Sequence, residues 1–340
     1  MSARVTLSDI ALELGLSIST VSNAYNRPDQ LSAATRDQVL ATAKRLGYAG
    51  PDPRASALRS GRAGAIGLIE LSLPTALTDP ASLLMLSGVA RACDEAGVAL
   101  VLIPSSEERD SPKDIVRTAV VDGFVAHCDA LDDERRAIVE DRRLPVVVLD
   151  GRARPDDPSV GIDEEGGASA AATHLIELGH RRLAIFAFPP HGNTGSNLTT
   201  ERRRDGYLTA ITAAGIDPST VIEVEGNAYD RAETALIARR ILLRPGRPTA
   251  VLAMSDEMAV AVIDAANRVG LRVPDDLSVV GFDDTVVAQT STPPLTTVHQ
   301  PHAEKGAAAV RMLLEPNGDR EVTFPVELIT RASTGPPPED

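Results

Sequence analysis

Polar side chains that could bind a ligand follow several apolar runs of this chain, each at the point where a run ends. Glu70 follows the first run, His127 the third and Asp150 the fourth. Ser255-Asp256 and Asp283-Asp284 follow two later runs in the same way. Several carboxylates directed at one crevice suit a ligand rich in hydroxyl or amine donors. Together these residues predict a small-molecule cleft, although each alone could cap a helix or face solvent.

The apolar runs themselves predict buried strands, and helix-length stretches separate them. The predicted strands are Ala65–Ile69, Ala99–Ile103, Val120–Ala126, Val146–Leu149, Leu183–Phe188, Val221–Val224, Ala250–Ala253 and Ser278–Phe282. The predicted helices include Ser82–Ala96, Gly166–Leu178, Glu201–Ala214, Ala232–Leu243 and Glu257–Val269. This α/β alternation is typical of parallel sheets with helices on both faces, which bind ligands at the carboxyl ends of their strands. The region spans about 275 residues, enough for two doubly wound lobes.

Known catalytic motifs are missing from the sequence, which argues against a doubly wound enzyme. No Gly-x-Gly-x-x-Gly follows a predicted strand, and no phosphate-binding loop or nucleophile elbow is present. His299 and His302 are three residues apart, but no further ligand at a suitable spacing supports a metal site. We therefore predict no catalytic residue, metal or cofactor, and we place both histidines in a loop or a lobe interface.

The cysteines and the lack of targeting segments favour a cytoplasmic protein with no membrane partner. Two cysteines, Cys93 and Cys128, are too few for a disulfide scaffold and suit a reducing compartment. Cys93 is expected to pack as a small hydrophobe. Cys128 follows His127, but no base or orienting group at a telling spacing supports a reactive thiol. No apolar run approaches the ~20 residues of a membrane helix, and the start lacks the apolar core of a signal peptide.

A small basic segment precedes an acidic remainder. Residues 1–62 hold eight basic and five acidic side chains, and the rest of the chain holds 26 and 43, within a net charge of −14 over 340 residues. Such an asymmetry suits contact between the first segment and a polyanion. The excess is modest, and chance clustering could also produce it.

Three short helices are predicted in this first segment. Thr6 and Asp9 are close to a capping box, and the helical spacing of apolar residues from Leu7 ends at Gly15. Ser17 and Ser32 can cap two further helices, Ile18–Asn26 and Ala33–Leu46. Two short helices joined by a tight turn, with a third as support, form a helix-turn-helix module. The second helix of such a module enters the DNA major groove by its N-terminal end.

The predicted DNA contacts of this module are polar or exposed positions at and around the second helix. Those expected to face bases are Ile18, Ser19 and Asn23, and those expected to bond phosphates are Ser17, Thr20 and Ser22. Thr6 and Asn26 are the remaining predicted DNA contacts of this module. A three-helix bundle with no role in DNA binding is the alternative.

The first segment resembles the head of lactose-repressor/galactose-repressor (LacI/GalR) regulators, and the body resembles the same family. The matching strings of the head are Val5-Thr-Leu-Ser-Asp-Ile-Ala11, Gly15-Leu-Ser-Ile-Ser-Thr-Val-Ser22, Asn26, and Thr35-Arg36 through Leu46-Gly-Tyr48. Those of the body include Leu144-Pro-Val-Val-Val-Leu-Asp150, His174-Leu-Ile-Glu-Leu-Gly-His-Arg-Arg182, Arg203-Arg-Asp-Gly-Tyr207 and Val279-Val-Gly-Phe-Asp-Asp284. Asn23 departs from the Arg usual in the family. Because Asn prefers adenine whereas Arg prefers guanine, a different DNA half-site is expected.

The resemblance implies a helix-turn-helix domain at 1–49, a hinge helix or linker at 50–62, and an effector-binding and dimerisation domain at 63–340. The body would resemble a periplasmic binding protein, with an N-lobe at about 63–160 and 291–322 and a C-lobe at about 161–290 and 323–335. The hinge positions that match DNA contacts are Arg54, Ser56, Ala57 and Leu58. In the family, Leu58 would wedge into the minor groove and kink the duplex. A plain flexible linker is the alternative.

The resemblance also implies the partners and the effector site. Arg203 and Asp283 are the best matches to the family's effector contacts, and Asp150 and Ser255 are the next best. Ser255 stands where Asn is common in the family. The expected partners are a palindromic operator, a second copy of the chain, and a sugar or sugar derivative, with a purine-type corepressor as the alternative. Tyr207 and Phe124 are the aromatic rings expected to be available for stacking on a sugar. A transport-type binding protein is a further alternative, which the head opposes. The Pro-rich C-terminus cannot form a leucine heptad, so a dimer is expected.

Overall fold

The computed structural model of the chain describes residues 5–50, 61–70, 72–105, 113–190 and 197–339. The chain divides into two compact units, Met1–Gly64 and Ala65–Asp340. The predicted hinge contacts Arg54, Ser56, Ala57 and Leu58 lie outside the described residues. None of the helices in the described ranges is long and apolar enough to cross a membrane.

The first unit contains three helices whose starts are set by local capping. They are α1 (Leu7–Leu14), α2 (Ile18–Asn26) and α3 (Ala33–Leu46). Ser17 Oγ accepts a hydrogen bond from Thr20 N–H at 3.0 Å, and Ser32 Oγ accepts one from Thr35 N–H at 3.1 Å. These bonds satisfy N–H groups that have no partner within the helix, which stabilises each helix start.

A small apolar core holds the three helices together. Its buried residues are Ile10, Ala11, Val21, Ala24, Val39 and Ala43. The turn between α1 and α2 passes through Gly15, whose φ of 64° is a left-handed conformation that favours glycine. Tyr25 lies one helical turn after Val21, but it is only half-buried and meets Tyr48 edge-on, with ring centroids 5.9 Å apart. Ala24 occupies the buried position instead, so close packing in this core depends on small residues.

The second unit is built on two six-stranded sheets, one in each lobe. In the N-lobe the order is β11-β5-β4-β3-β1-β2, and all pairs are parallel. In the C-lobe the order is β12-β10-β9-β8-β6-β7, and only the pair of β10 with β12 is antiparallel. The strands are β1 (Ala65–Glu70), β2 (Ala99–Pro104), β3 (Phe124–His127), β4 (Val146–Leu149), β5 (Ser159–Ile162), β6 (Leu183–Ala187), β7 (Ile222–Glu225), β8 (Ala250–Ala253), β9 (Ser278–Asp283), β10 (Thr296–His299), β11 (Glu321–Phe324) and β12 (Glu327–Ile329).

Helices cover both sheets and bury their apolar faces, as expected for parallel sheets. They are α4 (Leu73–Ala76), α5 (Pro80–Glu95), α6 (Lys113–Thr118), α7 (Asp133–Asp141), α8 (Glu164–Glu177), α9 (Leu198–Ala213), α10 (Arg231–Leu242), α11 (Asp256–Arg268), α12 (Val286–Thr290) and α13 (His302–Leu314). Helices α5 and α13 approach closely because two glycines face the crossing. A Cβ at Gly88 would lie 1.9 Å from the Ala303 carbonyl oxygen, and one at Gly306 would lie 2.3 Å from that of Met85.

The chain crosses between the lobes three times, and all three crossings lie later than predicted. The first follows β5, which pairs with β4 and β11 in the N-lobe and ends at Ile162, past the predicted boundary of about 160. The boundary near residue 290 is wrong, because β10 pairs with β9 and β12 and so belongs to the C-lobe. The second crossing therefore falls between His299 and His302. The third follows β11, which pairs with β5 in the N-lobe, so the boundary at 323 is also too early.

The strand predicted over Val120–Ala126 is shorter in the structure. β3 begins only at Phe124, and Val120 is 73% exposed. A run of apolar residue types therefore overstated the strand, since only its second half lies between neighbouring strands.

Candidate functional site

Helix α2 of the first unit presents the predicted DNA contacts around its N-terminal half. Ser17 and Ser19 are exposed, and Ile18 is 52% exposed although it is apolar. Ser17 Oγ shares hydrogen bonds with Ser19 Oγ at 2.7 Å and with Thr20 Oγ1 at 2.8 Å. Hydroxyl groups arranged in this way can bond phosphate oxygens, and an exposed Ile18 can contact a thymine methyl group.

The far end of the predicted DNA-contact surface is organised by amide side chains. Asn23 is half-buried, and its Nδ2 donates to Gln30 Oε1 at 3.4 Å. Asn26 Nδ2 donates to both the carbonyl oxygen and Oγ of Ser22 at 3.1 Å. The hydroxyl of Thr6 donates to Asp9 at 2.8 Å. Sequence reasoning missed Gln30, an exposed amide that, like Asn, can pair with adenine.

The four predicted effector contacts lie around one cavity between the lobes of the second unit. Asp150 follows β4 in the N-lobe, whereas Arg203, Ser255 and Asp283 come from the C-lobe. The cavity encloses about 750 Å³, including its opening to solvent. The remaining lining residues are Asp79, Ala81, Ser82, Met85, His127, Cys128, Glu164, Phe188, Asn197, Thr199, Ala228, Tyr229, Gln300, His302 and Lys305. Its convergent polar groups are typical of a small-molecule site.

Arg203 is buried and held on several sides. Its Nε donates to Glu164 Oε2 at 2.6 Å, and its guanidinium also donates to the Met254 carbonyl. Its Cζ lies 3.5 Å from the centroid of the Phe282 ring, and Asp283 Oδ1 lies 3.7 Å from Arg203 NH1. Ion pairing and ring stacking fix the guanidinium plane, so Arg203 is preorganised at the cavity wall.

Asp283 ends β9 in a conformation that directs its carboxylate toward the cavity. Its φ of 114° is unusual for a residue other than glycine. Its Oδ1 accepts a hydrogen bond from Gln300 Nε2 at 2.6 Å, and His302 Nε2 contacts its carbonyl oxygen at 3.2 Å. Burial raises the pKa of Asp283 well above its ordinary value, although Arg203 opposes this shift.

Asp150 pairs with Lys305 and keeps one oxygen available. Lys305 Nζ donates to Asp150 Oδ2 at 2.6 Å and to Gln300 Oε1. Burial alone would raise the pKa of Asp150, but Lys305 and His127 outweigh it and lower the pKa. Asp150 Oδ1 is buried and has no hydrogen-bond partner within the described part of the chain. A buried carboxylate oxygen without a donor is costly, and a ligand hydroxyl could satisfy it.

Ser255 and Asp256 share the start of α11 but have different roles. Ser255 Oγ accepts from Met258 N–H at 3.2 Å, which leaves its hydroxyl proton free to donate into the cavity. Asp256 is fully buried behind the cavity and accepts hydrogen bonds from Thr285 N–H at 2.7 Å and Thr297 Oγ1 at 2.5 Å. Asp256 therefore positions the β9–α12 turn that carries Asp283.

Several side chains singled out in the sequence lie elsewhere, and others were missed. Tyr207 and Phe124 are fully buried in the lobe cores, so the expectation that they stack on a sugar is wrong. Phe188 and Tyr229 line the cavity instead. Asp284 pairs with Arg331 and His299 at the crossing between lobes. Glu164, Gln300 and Lys305 were missed because they do not follow apolar runs.

Comparison with known proteins agrees with both units. Residues 6–50 match the model of bacterial regulatory proteins of the lacI family, and residues 172–334 match a periplasmic binding protein-like domain. The chain is 38% identical to the HTH-type transcriptional regulator Rv3575c of Mycobacterium tuberculosis, over 98% of each protein. It is 34% identical to the HTH-type transcriptional repressor PurR of Erwinia tasmaniensis, over 91% of this chain and 89% of that protein.

A solved structure extends the likeness to the fold. The lac repressor dimer bound to operator and the anti-inducer ONPF superposes with a TM-score of 0.85 and 28% identity, over 98% of this chain and all of that one. The chain belongs to the lacI family of bacterial regulatory proteins and is a transcriptional regulator rather than an enzyme.

Proposed function

We propose that this regulator is a cytoplasmic repressor that binds a palindromic operator as a homodimer and responds to a small molecule in the cavity of the body. The observation that carries the proposal is the cavity itself, which Asp150 lines from one lobe and Arg203 and Asp283 line from the other. A ligand bound there contacts both lobes and so can favour one lobe arrangement over another. The similar lac repressor dimer, bound to operator and ONPF, supports the assignment.

The DNA-binding part of the proposal rests on α2. We infer that Ile18, Ser19 and Asn23 face bases, while Ser17, Thr20, Ser22, Thr6 and Asn26 hold the backbone. The exposure of Ser17, Ile18 and Ser19 at the N-terminal end of the helix supports this orientation. Arg54, Ser56, Ala57 and Leu58 are proposed as hinge contacts on sequence grounds alone.

A homodimer is supported by apolar surface on the N-lobe. Leu83 and Leu84 on α5 are 42% and 43% exposed, and Leu77 is 45% exposed. Val101 is 36% exposed on β2, an edge strand of the sheet. Exposed apolar side chains on a helix and an edge strand of one lobe can contribute to an interaction surface. A two-fold dimer would also place two heads on the two half-sites of a palindrome.

We propose a sugar or sugar derivative as the effector, contacted by Asp150, Arg203, Ser255 and Asp283. Fixed carboxylates and a free hydroxyl proton suit a ligand with several hydroxyl groups. A purine-type corepressor is the second candidate. Phe188 and Tyr229 at the cavity favour it, because aromatic rings stack on flat heterocycles.

Mobility-shift titration with the DNA upstream of the gene that encodes this chain tests the proposed operator binding. We expect a discrete complex that survives competition with unrelated DNA and weakens steeply as salt is raised. Light scattering should give a dimer at micromolar concentration. Binding no tighter than to unrelated DNA, or a monomer that binds its operator fully, would refute the proposal.

A further inference from the structure

Cys128 lies at the end of β3 on a constrained turn at the wall of the cavity. Its φ of 51° is in the left-handed region, and it is the first residue of a short 3-10 turn, Cys128–Ala130. A Cβ at residue 151 would lie only 2.0 Å from the carbonyl oxygen of Cys128, and Gly151 avoids this clash because it has no Cβ. The thiol is therefore carried by a packed turn, in a backbone conformation that is uncommon for residues other than glycine.

A base and an orienting carboxylate accompany this thiol. Cys128 Sγ lies 3.4 Å from His127 Nε2, and His127 Nδ1 lies 2.8 Å from Glu70 Oε2. The register of β1 and β3 pairs Ile69 with Ala126, so the next residues, Glu70 and His127, lie side by side. A nucleophile, a base and a group that orients the base are the components of an activated nucleophile.

Charge around the imidazole determines the resting state of this cluster. Burial alone would lower the pKa of His127, but its contacts with Cys128 and Glu70 raise it well above its ordinary value. Burial also raises the pKa of the Cys128 thiol. The resting pair is therefore a thiol beside an imidazolium. That state suits an electrophile whose own oxygen takes up a proton during attack.

A second observation indicates that a ligand occupies the space beside the thiol. Asp150 Oδ1 is buried and lacks a partner within the described part of the chain, and Asp150 lines the same cavity as Cys128. Asp150 Oδ2 lies 3.9 Å from the imidazole nitrogen that contacts Sγ. A group bound near Sγ therefore lies beside the Asp150 side chain, of which Oδ2 is held by Lys305 and Oδ1 lacks a donor within the described residues.

We propose that Cys128 is a covalent modification site that adds reversibly to the aldehyde carbon of a small hydroxyaldehyde in this cavity. Sγ forms a bond to the carbonyl carbon as the carbonyl π bond breaks. His127 Nε2 gives its proton to the new oxygen and takes up the thiol proton, so the product is a neutral hemithioacetal. Neither an oxidant nor a leaving group is needed. A hydroxyl of the adduct can then donate to Asp150 Oδ1.

Alkylation kinetics of the two cysteines test the proposal in the full-length protein. Cys93 is 2% exposed within the N-lobe core and serves as an internal control. Iodoacetamide should label Cys128 about tenfold or more faster than Cys93, because Cys128 lines the open cavity whereas Cys93 lies within the N-lobe core. Glyceraldehyde should slow labelling of Cys128 in a saturable way that dialysis reverses. Glycerol, which has the same carbon skeleton but no aldehyde, should not.

Three results would overturn the proposal. They are equal protection by glycerol and glyceraldehyde, no protection by glyceraldehyde, and failure of Cys128 to react in the folded protein. His127→Gln should abolish protection by glyceraldehyde while the labelling of Cys93 stays unchanged. Undiminished protection in that variant would exclude His127 as the proton carrier. If the variant fails to fold, the comparison of glyceraldehyde with glycerol on the wild-type protein still decides the proposal. Adduct formation is measured without DNA, so its failure is distinct from failure of the repressor assignment.

Discussion

Lys305 Nζ lies 2.6 Å from Asp150 Oδ2, and this ion pair joins residues that are 155 positions apart in the sequence. Both side chains are buried. Gln300 accepts from the same ammonium and donates to Asp283, so a continuous chain of polar contacts runs from the N-lobe to the C-lobe. A ligand that engages Asp150 or Asp283 would therefore act directly on contacts that hold the two lobes together.

Lys305→Met should destabilise the body by about 3–5 kcal/mol, because it leaves the Asp150 carboxylate buried without its cation. Urea denaturation followed by circular dichroism measures the change. Arg204→Ala removes an exposed pair with Glu223 and should cost only about 0–1 kcal/mol. The double variant Asp150→Leu/Lys305→Met should regain most of the loss, since an apolar pair replaces the ionic one. A double variant as unstable as the single one would contradict this explanation.

Asp283→Asn should remove the response to the effector and leave operator binding intact. The amide keeps the size of the side chain but changes the charge that faces Arg203 at 3.7 Å. A thermal-shift screen of sugars and purines on the wild type identifies the effector, and titration calorimetry then compares the variant. An unchanged effector affinity would remove Asp283 from the site. Loss of operator binding would instead indicate a structural role.

Asn23→Arg should shift the preferred half-site toward guanine, by about 1–3 kcal/mol per base pair. Binding should persist, because the proposed phosphate contacts are untouched. Selection of operators from random oligonucleotides measures the preference. Gln30→Ala separates the two amides, because it removes the side chain to which Asn23 donates and which can itself pair with adenine. The same selected sequence for wild type and Asn23→Arg would mean that Asn23 does not face bases.

Asp256→Asn should flatten the pH dependence of stability between about pH 4 and 7. Burial raises the pKa of Asp256 to about 7, whereas an unfolded Asp titrates near 4. The folded state therefore holds a proton that the unfolded state releases, and its stabilising contribution is lost as the pH rises through this window. Melting temperatures of both proteins across the window measure the effect. Parallel curves would show that Asp256 is not the responsible group.

Gly88→Ala should destabilise the N-lobe by about 1–3 kcal/mol through overpacking. The new methyl group would meet the Ala303 carbonyl oxygen at 1.9 Å and push α13, which carries Lys305, away from α5. Gly318→Ala is the control, because its nearest contact is an ordinary 3.4 Å. Chemical denaturation measures both variants, and equal stabilities would indicate that the helix crossing adjusts freely.

Local signals in the sequence predicted the elements whose causes are local. Ser17 and Ser32 mark helix starts because a capping hydroxyl needs only an N–H three residues away. β4 and β8 match their predicted bounds because each is a continuous apolar run buried on both faces. β10 was not predicted, since Thr296–His299 becomes a strand only through pairing with β9 and β12.

By itself the sequence determined the helix-turn-helix segment, the alternation of strands and helices in the body, and four residues that lie around the cavity. Capping, periodicity and strand ends depend on neighbours along the chain, and the family resemblance supplied Arg203. Only the tertiary structure decided which groups face each other. Arg203 with Glu164, Lys305 with Asp150, and His127 with Glu70 are 39, 155 and 57 residues apart. Such contacts depend on sheet register and on where the chain crosses between lobes, and neither follows from a local pattern of residue types.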